Sequence, residues 1–184
     1  MRGLIKMIKT QRTVIKLVTQ DLAAQLFHYH LENKEHLRSW QPLRQDAFYQ
    51  LSYWKEYSAE SEIEFADAKA VRLAAINPDI GDVIGICNFT GISRGAFQAC
   101  FLGYSISSRY EGQGYMTEIL ESSINYMFDT VGLNRIMASY MPKNKASGTV
   151  LRKLGFEREG YARNYLKIDG KWEDHILTSK VREI

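Results

Sequence analysis

Very little in this chain of 184 residues could staple it together. Two cysteines, Cys87 and Cys100, are too few for a disulfide framework or a zinc site, and no Cys/His cluster stands near either. They read as reduced thiols with no adjacent base to activate them. No uncharged apolar stretch approaches the roughly 20 residues that a membrane span needs. Residues 1–9 carry Arg2, Lys6 and Lys9 with no apolar run behind them, so they lack the core of a signal peptide. A cytoplasmic protein without membrane contact is expected. An excess of either charge is missing too: the net charge is +3, with Lys and Arg scattered, so no nucleic-acid footprint is expected. What is present is 45% hydrophobic and 24% charged, which excludes disordered and fibrous classes. A chain of this length can bury roughly 70% of its unfolded surface in one core, so residues 1–184 are read as a single domain.

Glycine is almost absent from the first part, where only Gly3 precedes Gly81. The early chain is therefore helix-compatible and the later chain rich in turns. Residues 14–18 alternate as a short strand, and Thr19 stands as an N-cap before the helical spacing of Leu22, Ala23, Leu26 and Phe27. Pro42 cannot sit inside a helix, so Trp40-Gln-Pro42 interrupts it; residues 47–57 resume helical periodicity through Phe48, Leu51 and Trp54. Residues 71–76 and 82–90 form a hairpin around Asn77, Pro78, Asp79 and Gly81. Residues 96–106 add a third strand, in which Gly103 marks a bulge or a close backbone approach.

From Tyr115, the positions Met116, Ile119, Leu120, Ile124, Met127, Phe128 and Val131 trace one face of a long helix that Gly132 ends. A strand over 135–140, a helix over 143–154, and a hairpin of 161–168 with 172–179 around Asp169-Gly170 complete the chain. The order β-α-α-β-β-β-α-β-α-β-β predicts an α/β (α+β) domain whose mixed, mostly antiparallel sheet is flanked by helices.

Chemistry concentrates where a strand, a glycine turn and the long helix meet, at Glu111-Gly112-Gln113-Gly114-Tyr115-Met116. Backbone N–H groups opening a helix, with glycines that let a ligand approach closely, suit phosphate oxygens. By spacing alone an ordinary turn is the commoner reading, because short glycine motifs match by chance. The turn is not a Walker A loop, since no Gly-Lys-Ser/Thr follows, and Thr117 stands where a dinucleotide fingerprint needs its third glycine.

Leu102-Gly-Tyr-Ser-Ile106, Glu111-Gly-Gln-Gly-Tyr-Met-Thr-Glu118, Leu133-Asn-Arg-Ile136, Asn144-Lys-Ala-Ser147 and Leu154-Gly-Phe156 with Glu159-Gly160 occur here in order and spacing. Together they resemble the GNAT family of N-acetyltransferases, within it the RimJ/RimL type that modifies ribosomal proteins. The resemblance implies acetyl-CoA as co-substrate and no metal. It implies that the backbone of Tyr104, Ser105 and Ile106 pairs with the pantetheine amides like an added strand. It implies that the N–H groups of Glu111, Gly112, Gln113, Gly114, Tyr115 and Met116 hold the pyrophosphate, and that Asn144 bonds the cofactor near its reactive end. Asn144 is equally a helix cap.

The chain departs from the family pattern in two places. Glu111 stands where Gln or Arg is usual and Met116 where Gly or Ala is usual, which sets a carboxylate beside the expected diphosphate. Ser139 and Leu151 occupy the positions at which some members carry a Glu base and a Tyr acid, so that pair is absent. Attack of an amine on a thioester needs a neutral amine, a stabilised oxyanion and a proton for the thiolate. Ser147, one helical turn after Asn144, is placed by the resemblance to give that proton; a solvent-facing serine is the alternative. A peptide α-amine is roughly 10–20% neutral at pH 7, whereas a lysine is below roughly 0.1% neutral. A missing base therefore favours a protein N-terminus as acceptor.

His28 and His30, two apart on a helix, face apart, so they make a poor metal pair and read as surface residues. Glu60, Glu62, Glu64 and Asp67 are a solvated face or an attractor of a basic ribosomal-protein tail; Trp40, Tyr49, Tyr53 and Trp54 line a groove or belong to the core. The expected activity is acetyl transfer from acetyl-CoA to the N-terminal amine of a protein, on the RimJ-like pattern an Ala-terminal ribosomal protein of the small subunit, with no acyl-enzyme. A small-molecule amine acetyltransferase and a non-catalytic acyl-CoA-binding module are the alternatives.

Overall fold

A computed structural model of the chain describes residues 7–183. Arg2 and Lys6, which argued against a leader, lie outside the described residues. The strands are β1 (Ile8–Lys9), β2 (Val14–Leu17), β3 (Val71–Ile76), β4 (Val83–Ser93), β5 (Ala99–Ile106), β6 (Arg135–Tyr140), β7 (Glu157–Ile168) and β8 (Lys171–Val181). The helices are α1 (Ala23–Glu32), α2 (Lys34–Arg38), α3 (Leu51–Ala66), α4 (Tyr115–Asp129) and α5 (Lys145–Lys153). One sheet runs β1-β2-β3-β4-β5-β6-β8-β7. Every neighbouring pair is antiparallel except β5 with β6. The predicted mixed, mostly antiparallel architecture is thus observed.

The pleat of β3 distributes the core. Leu73 and Ala75 face one side, where Ile119, Leu120, Ile124 and Met127 of α4 and Leu151 of α5 cover them; Ala74 and Ile76 face the other, under Leu26 and Tyr29 of α1 and Trp54 of α3. This explains why β3 reads as a continuous apolar run rather than an alternation: it is buried on both faces. Fully burying a Leu or Ile side chain stabilises by about 1.5–3 kcal/mol. The α4 stripe alone therefore anchors its helix firmly.

Several local expectations shift. Residues 47–57 are not one helix: Asp46–Tyr49 is a short 3-10 turn, Gln50 is extended, and α3 starts at Leu51. The indole N–H of Trp54 donates to the Phe48 carbonyl at 2.9 Å and folds that turn onto α3. The third strand begins at Ala99 rather than 96, because Gln98 takes a left-handed φ of 43°. Gly103 makes neither a bulge nor a close approach. It pairs in register with Asn88, and among the described residues nothing lies within 4 Å of where its Cβ would be. His30 is buried, not exposed, and its ring stacks on Trp54 with centroids 4.2 Å apart. The reason is helical: His30 stands four residues from Leu26 and eight from Leu22, on the stripe that faces α3. Among the described residues, neither ring nitrogen of His30 has a hydrogen-bond partner. Burial, with the charge of Arg44 adding to it, pushes its pKa down to about 3.

Candidate functional site

The site begins as a fault in the sheet. Pairing of β5 with β6 ends at Leu102 opposite Ala138. Beyond that point β5 continues on β4, as far as Ile106 opposite Gly85, while β6 continues on β8, as far as Tyr140 opposite Ile176. The two strands part as a wedge, and Tyr104, Ser105 and Ile106 present a backbone edge that β6 leaves unpaired. Edge N–H and C=O groups of this kind are templates for an extended chain.

Side chains from α1 hold the β5 side of the wedge in place. The Tyr29 hydroxyl, in a fully buried residue, shares a 2.8 Å hydrogen bond with Ser105 Oγ. Asn33 Oδ1 accepts from the Ser108 N–H at 3.0 Å, while its Nδ2 donates to the Tyr29 carbonyl at 2.8 Å. Burial raises the Tyr29 pKa, the Ser105 bond opposing it, so this tie stays neutral.

The opposite side is α5. Asn144 Oδ1 accepts from the Ser147 N–H at 3.0 Å and caps the helix, which leaves the Asn144 Nδ2 to another partner. Ser147 does not face bulk solvent alone: its Oγ lies 2.7 Å from the Tyr104 hydroxyl, which is also 3.3 Å from the Ser147 carbonyl oxygen. Burial pushes Tyr104 up to about 12, the bond to Ser147 lowering it and nearby Tyr140 raising it. Tyr104 is therefore a protonated donor throughout the neutral range. At Gly148 an added Cβ would meet the Tyr140 ring at 2.7 to 3.0 Å, so the absent side chain lets α5 lie against β6.

The two elements enclose a cavity of about 450 Å³. Nine of the eleven residues singled out from the sequence line it: Tyr104, Ser105, Ile106, Glu111, Gly112, Gly114, Met116, Asn144 and Ser147. Gln113 and Tyr115 do not. The Gln113 side chain instead donates to the Arg109 carbonyl, and Tyr115 meets Tyr110 edge-on at 5.2 Å. Gly112 and Gly114 have φ of 73° and 81°, a conformation that side-chain-bearing residues adopt at a cost. Glu111 is exposed where it borders the cavity.

Sequence reasoning missed part of the wall. His36 and Leu37 line it beside Trp40, and Lys145, Thr149 and Lys153 line it from α5. The three α5 residues recur every fourth position, a periodicity that was there to be read. Of the aromatic set, Trp40 borders the cavity, whereas Trp54 is core and Tyr49 and Tyr53 pack against that core. The acidic run is partly spoken for, since Glu62 accepts from the Gln20 N–H, Glu64 pairs with Arg72 and Asp67 with Lys69. Cys87 and Cys100 are fully buried and burial pushes both thiols up to about 12, so neither is a poised nucleophile. Leu151 is core. Among the described residues, no group of three or more His, Cys, Asp or Glu is disposed to hold a metal ion, and no helix is long and apolar enough to cross a membrane.

Known proteins resemble this chain over nearly its whole length. An acetyltransferase (GNAT) domain model matches residues 12–157. A relative from Escherichia coli (strain K12), [ribosomal protein uS5]-alanine N-acetyltransferase, is 42% identical over 172 residues, spanning 94% of this chain and 89% of its own. The crystal structure of a ribosomal-protein-S5-alanine acetyltransferase from Vibrio fischeri superposes with a TM-score of 0.92 at 35% identity, covering 95% of this chain and 96% of that one. The fold is shared further with Mycobacterium smegmatis RimJ in complex with CoA-disulfide, at a TM-score of 0.88 and 24% identity over 95% of this chain and 87% of that one.

Proposed function

The chain belongs to the GNAT family of acetyltransferases, and on that premise we propose that it moves the acetyl group of acetyl-CoA to the N-terminal α-amine of an Ala-terminal ribosomal protein of the uS5 kind. The observation that carries the reading is the β5–β6 wedge, with an unpaired strand edge on one side, a capped helix bearing Asn144 and Ser147 on the other, and the glycine turn at its end. The relatives named for alanine acetylation of the same ribosomal protein, matched over nearly the whole chain, support the acceptor class. The single continuous sheet supports reading residues 1–184 as one catalytic domain, and a ribosomal acceptor supports a cytoplasmic location. No nucleic-acid or membrane contact is part of this proposal.

On this reading, the amides of the pantetheine arm extend the β5 edge at Tyr104, Ser105 and Ile106, while N–H groups of the Glu111 to Met116 turn receive the pyrophosphate at the α4 N-terminus, whose dipole favours anions. Lys145 and Lys153 add positive charge along the cavity wall. The neutral amine attacks the thioester carbonyl, a C–N bond forms, and the C–S bond breaks as the nitrogen loses a proton to water. The thiolate takes a proton from Ser147 Oγ as the Tyr104 hydroxyl, 2.7 Å away, passes its own to Ser147, and the proton that the nitrogen released to water returns to Tyr104, so that both hydroxyls end the cycle protonated. Asn144 Nδ2, free because the cap uses Oδ1, bonds the cofactor. An α-amine needs no strong base, since roughly 10–20% of it is neutral at pH 7.

The test offers acetyl-CoA with peptides carrying an N-terminal Ala, the same peptides with that amine blocked and an internal Lys, and small amines, and reads product masses. Acetylation of the Ala α-amine alone is expected. Preference for lysine or a small amine would overturn the acceptor, and acetyl-CoA binding without turnover on any of them would leave a binding module.

A further inference from the structure

One side chain reaches the glycine turn from more than a hundred residues away. The Arg12 backbone N–H donates to Glu118 Oε1 at 2.8 Å, and its Nε donates to Glu118 Oε2 at 2.7 Å. Its Nη1 donates to the Gln113 carbonyl at 3.0 Å, its guanidinium lies 3.9 Å from the centre of the Tyr115 ring, and its Nη2 is 3.6 Å from where a Gly114 Cβ would be. From the loop between β1 and β2, Arg12 thus touches the residues on either side of Gly114, Gln113 and Tyr115. Burial alone would raise the Glu118 pKa, but hydrogen bonds from Thr10 and Arg12 outweigh it and hold the carboxyl below its usual value. Glu118 is therefore held as a carboxylate against the Arg12 side chain.

The packing of α4 does not call for this clamp, because Ile119, Leu120, Ile124 and Met127 already bury the helix in the core. What the clamp constrains is the peptide between Gln113 and Gly114. In a trans peptide the C=O and N–H point in opposite directions. Holding the Gln113 carbonyl toward Arg12 turns the Gly114 N–H the other way, and it is Gly112 and Gly114 that line the cavity.

We propose that Arg12 is a positioning residue for the diphosphate of the acetyl donor: it orients the turn N–H groups and thereby makes the protein select a diphosphate-bearing thioester. This rests on the glycine turn being the anion seat. Arginine rather than lysine is required, since the bonds to Glu118 and Gln113 diverge from one planar fork over an aromatic ring.

The test compares acetyl-CoA with acetyl-pantetheine, which lacks the diphosphate, in the wild type, Arg12→Ala, Arg12→Lys and Glu118→Gln. Equilibrium binding of CoA and pantetheine supplies a readout independent of the acceptor. Arg12→Ala is expected to raise the KM for acetyl-CoA and the Kd for CoA about tenfold, with kcat at saturation within about twofold. Acetyl-pantetheine and pantetheine should be unaffected, and Arg12→Lys should restore affinity only in part. Equal losses with both donors would mean a general structural role and overturn the proposal, as would an unchanged KM for acetyl-CoA in Arg12→Ala. If Arg12→Ala does not fold, Glu118→Gln carries the same expectation and the same refutation. A wild type indifferent to the diphosphate would instead overturn the anion seat itself.

Discussion

Gly148 sits inside α5, where replacing a glycine by alanine ordinarily strengthens a helix by about 1 kcal/mol. Here the neighbour decides otherwise. A Cβ at 148 would stand 2.7, 2.9 and 3.0 Å from Cε2, Cζ and Oη of Tyr140, whereas non-bonded carbons settle near 3.5–4.0 Å. Relief requires about 1 Å of movement by α5 or by the ring. Forced extra volume in a packed site costs about 1–3 kcal/mol, so the net change in Gly148→Ala should be a destabilisation of about 0–2 kcal/mol. For a chain of this size that lowers the Tm by no more than roughly 8 °C. Catalysis should suffer more than stability. Ser147 is the adjacent residue on α5 and lies 2.7 Å from Tyr104, so a helix lifted by about 1 Å breaks that bond, and misplacement of that size can cost about 10²-fold in rate. Thermal melting and steady-state kcat at saturating acetyl-CoA measure the two effects. Adding Tyr140→Val removes the ring and should return much of the lost rate. A Gly148→Ala protein that melts higher than the wild type and turns over at its rate would refute the reasoning, because the ring would have yielded instead of the helix.

Ser147→Ala should lower kcat with little change in KM for acetyl-CoA, and the thiolate's ordinary pKa limits the loss to roughly 10²-fold; wild-type kcat with chemistry rate-limiting would remove Ser147 from the reaction. Tyr104→Phe should give a smaller loss of the same kind, and no further loss when combined with Ser147→Ala; additive losses would argue against a relay. His30 has its folded pKa below its unfolded one, so the unfolded chain binds the extra proton and stability falls as pH drops from about 6.5 toward about 3. The loss between pH 7 and 5 should be about 2 kcal/mol in denaturant titrations, and an equally steep loss in His30→Phe would place its origin elsewhere. Gly112→Ala meets no atom within 4 Å, so only its φ of 73° is strained, and acetyl-CoA binding should weaken about tenfold at a cost of roughly 1–2 kcal/mol; unchanged affinity by calorimetry would detach the turn from the ligand.

Much of the site was legible because its signals are local. The stripe from Met116 to Phe128 matches α4, and residues 135–140 are β6 to the residue, since both depend on periodicity within one segment. Glycines at 112 and 114 announced a turn that only they adopt comfortably. Asn144 shows where such reading stops. Cap and ligand readings were both open from the sequence, and the structure assigns Oδ1 to the cap while leaving Nδ2. His30 could have been placed in the core from its spacing to Leu22 and Leu26, but its residue type outweighed its position.

By itself the sequence determined the order of elements apart from β1 and α2, the sheet class and about half of the cavity wall, for these follow from hydrophobic period, turn chemistry and short motifs. Tertiary structure alone decided which strand edge stays unpaired beyond Leu102, that Tyr104 meets Ser147, that Gly148 accommodates Tyr140, and that Arg12 grips the turn at Gln113 and Glu118. Each of these joins residues that lie far apart in the chain or on facing elements. No periodicity encodes such a pair, because its geometry exists only once the sheet has twisted, parted and been packed by helices on both faces.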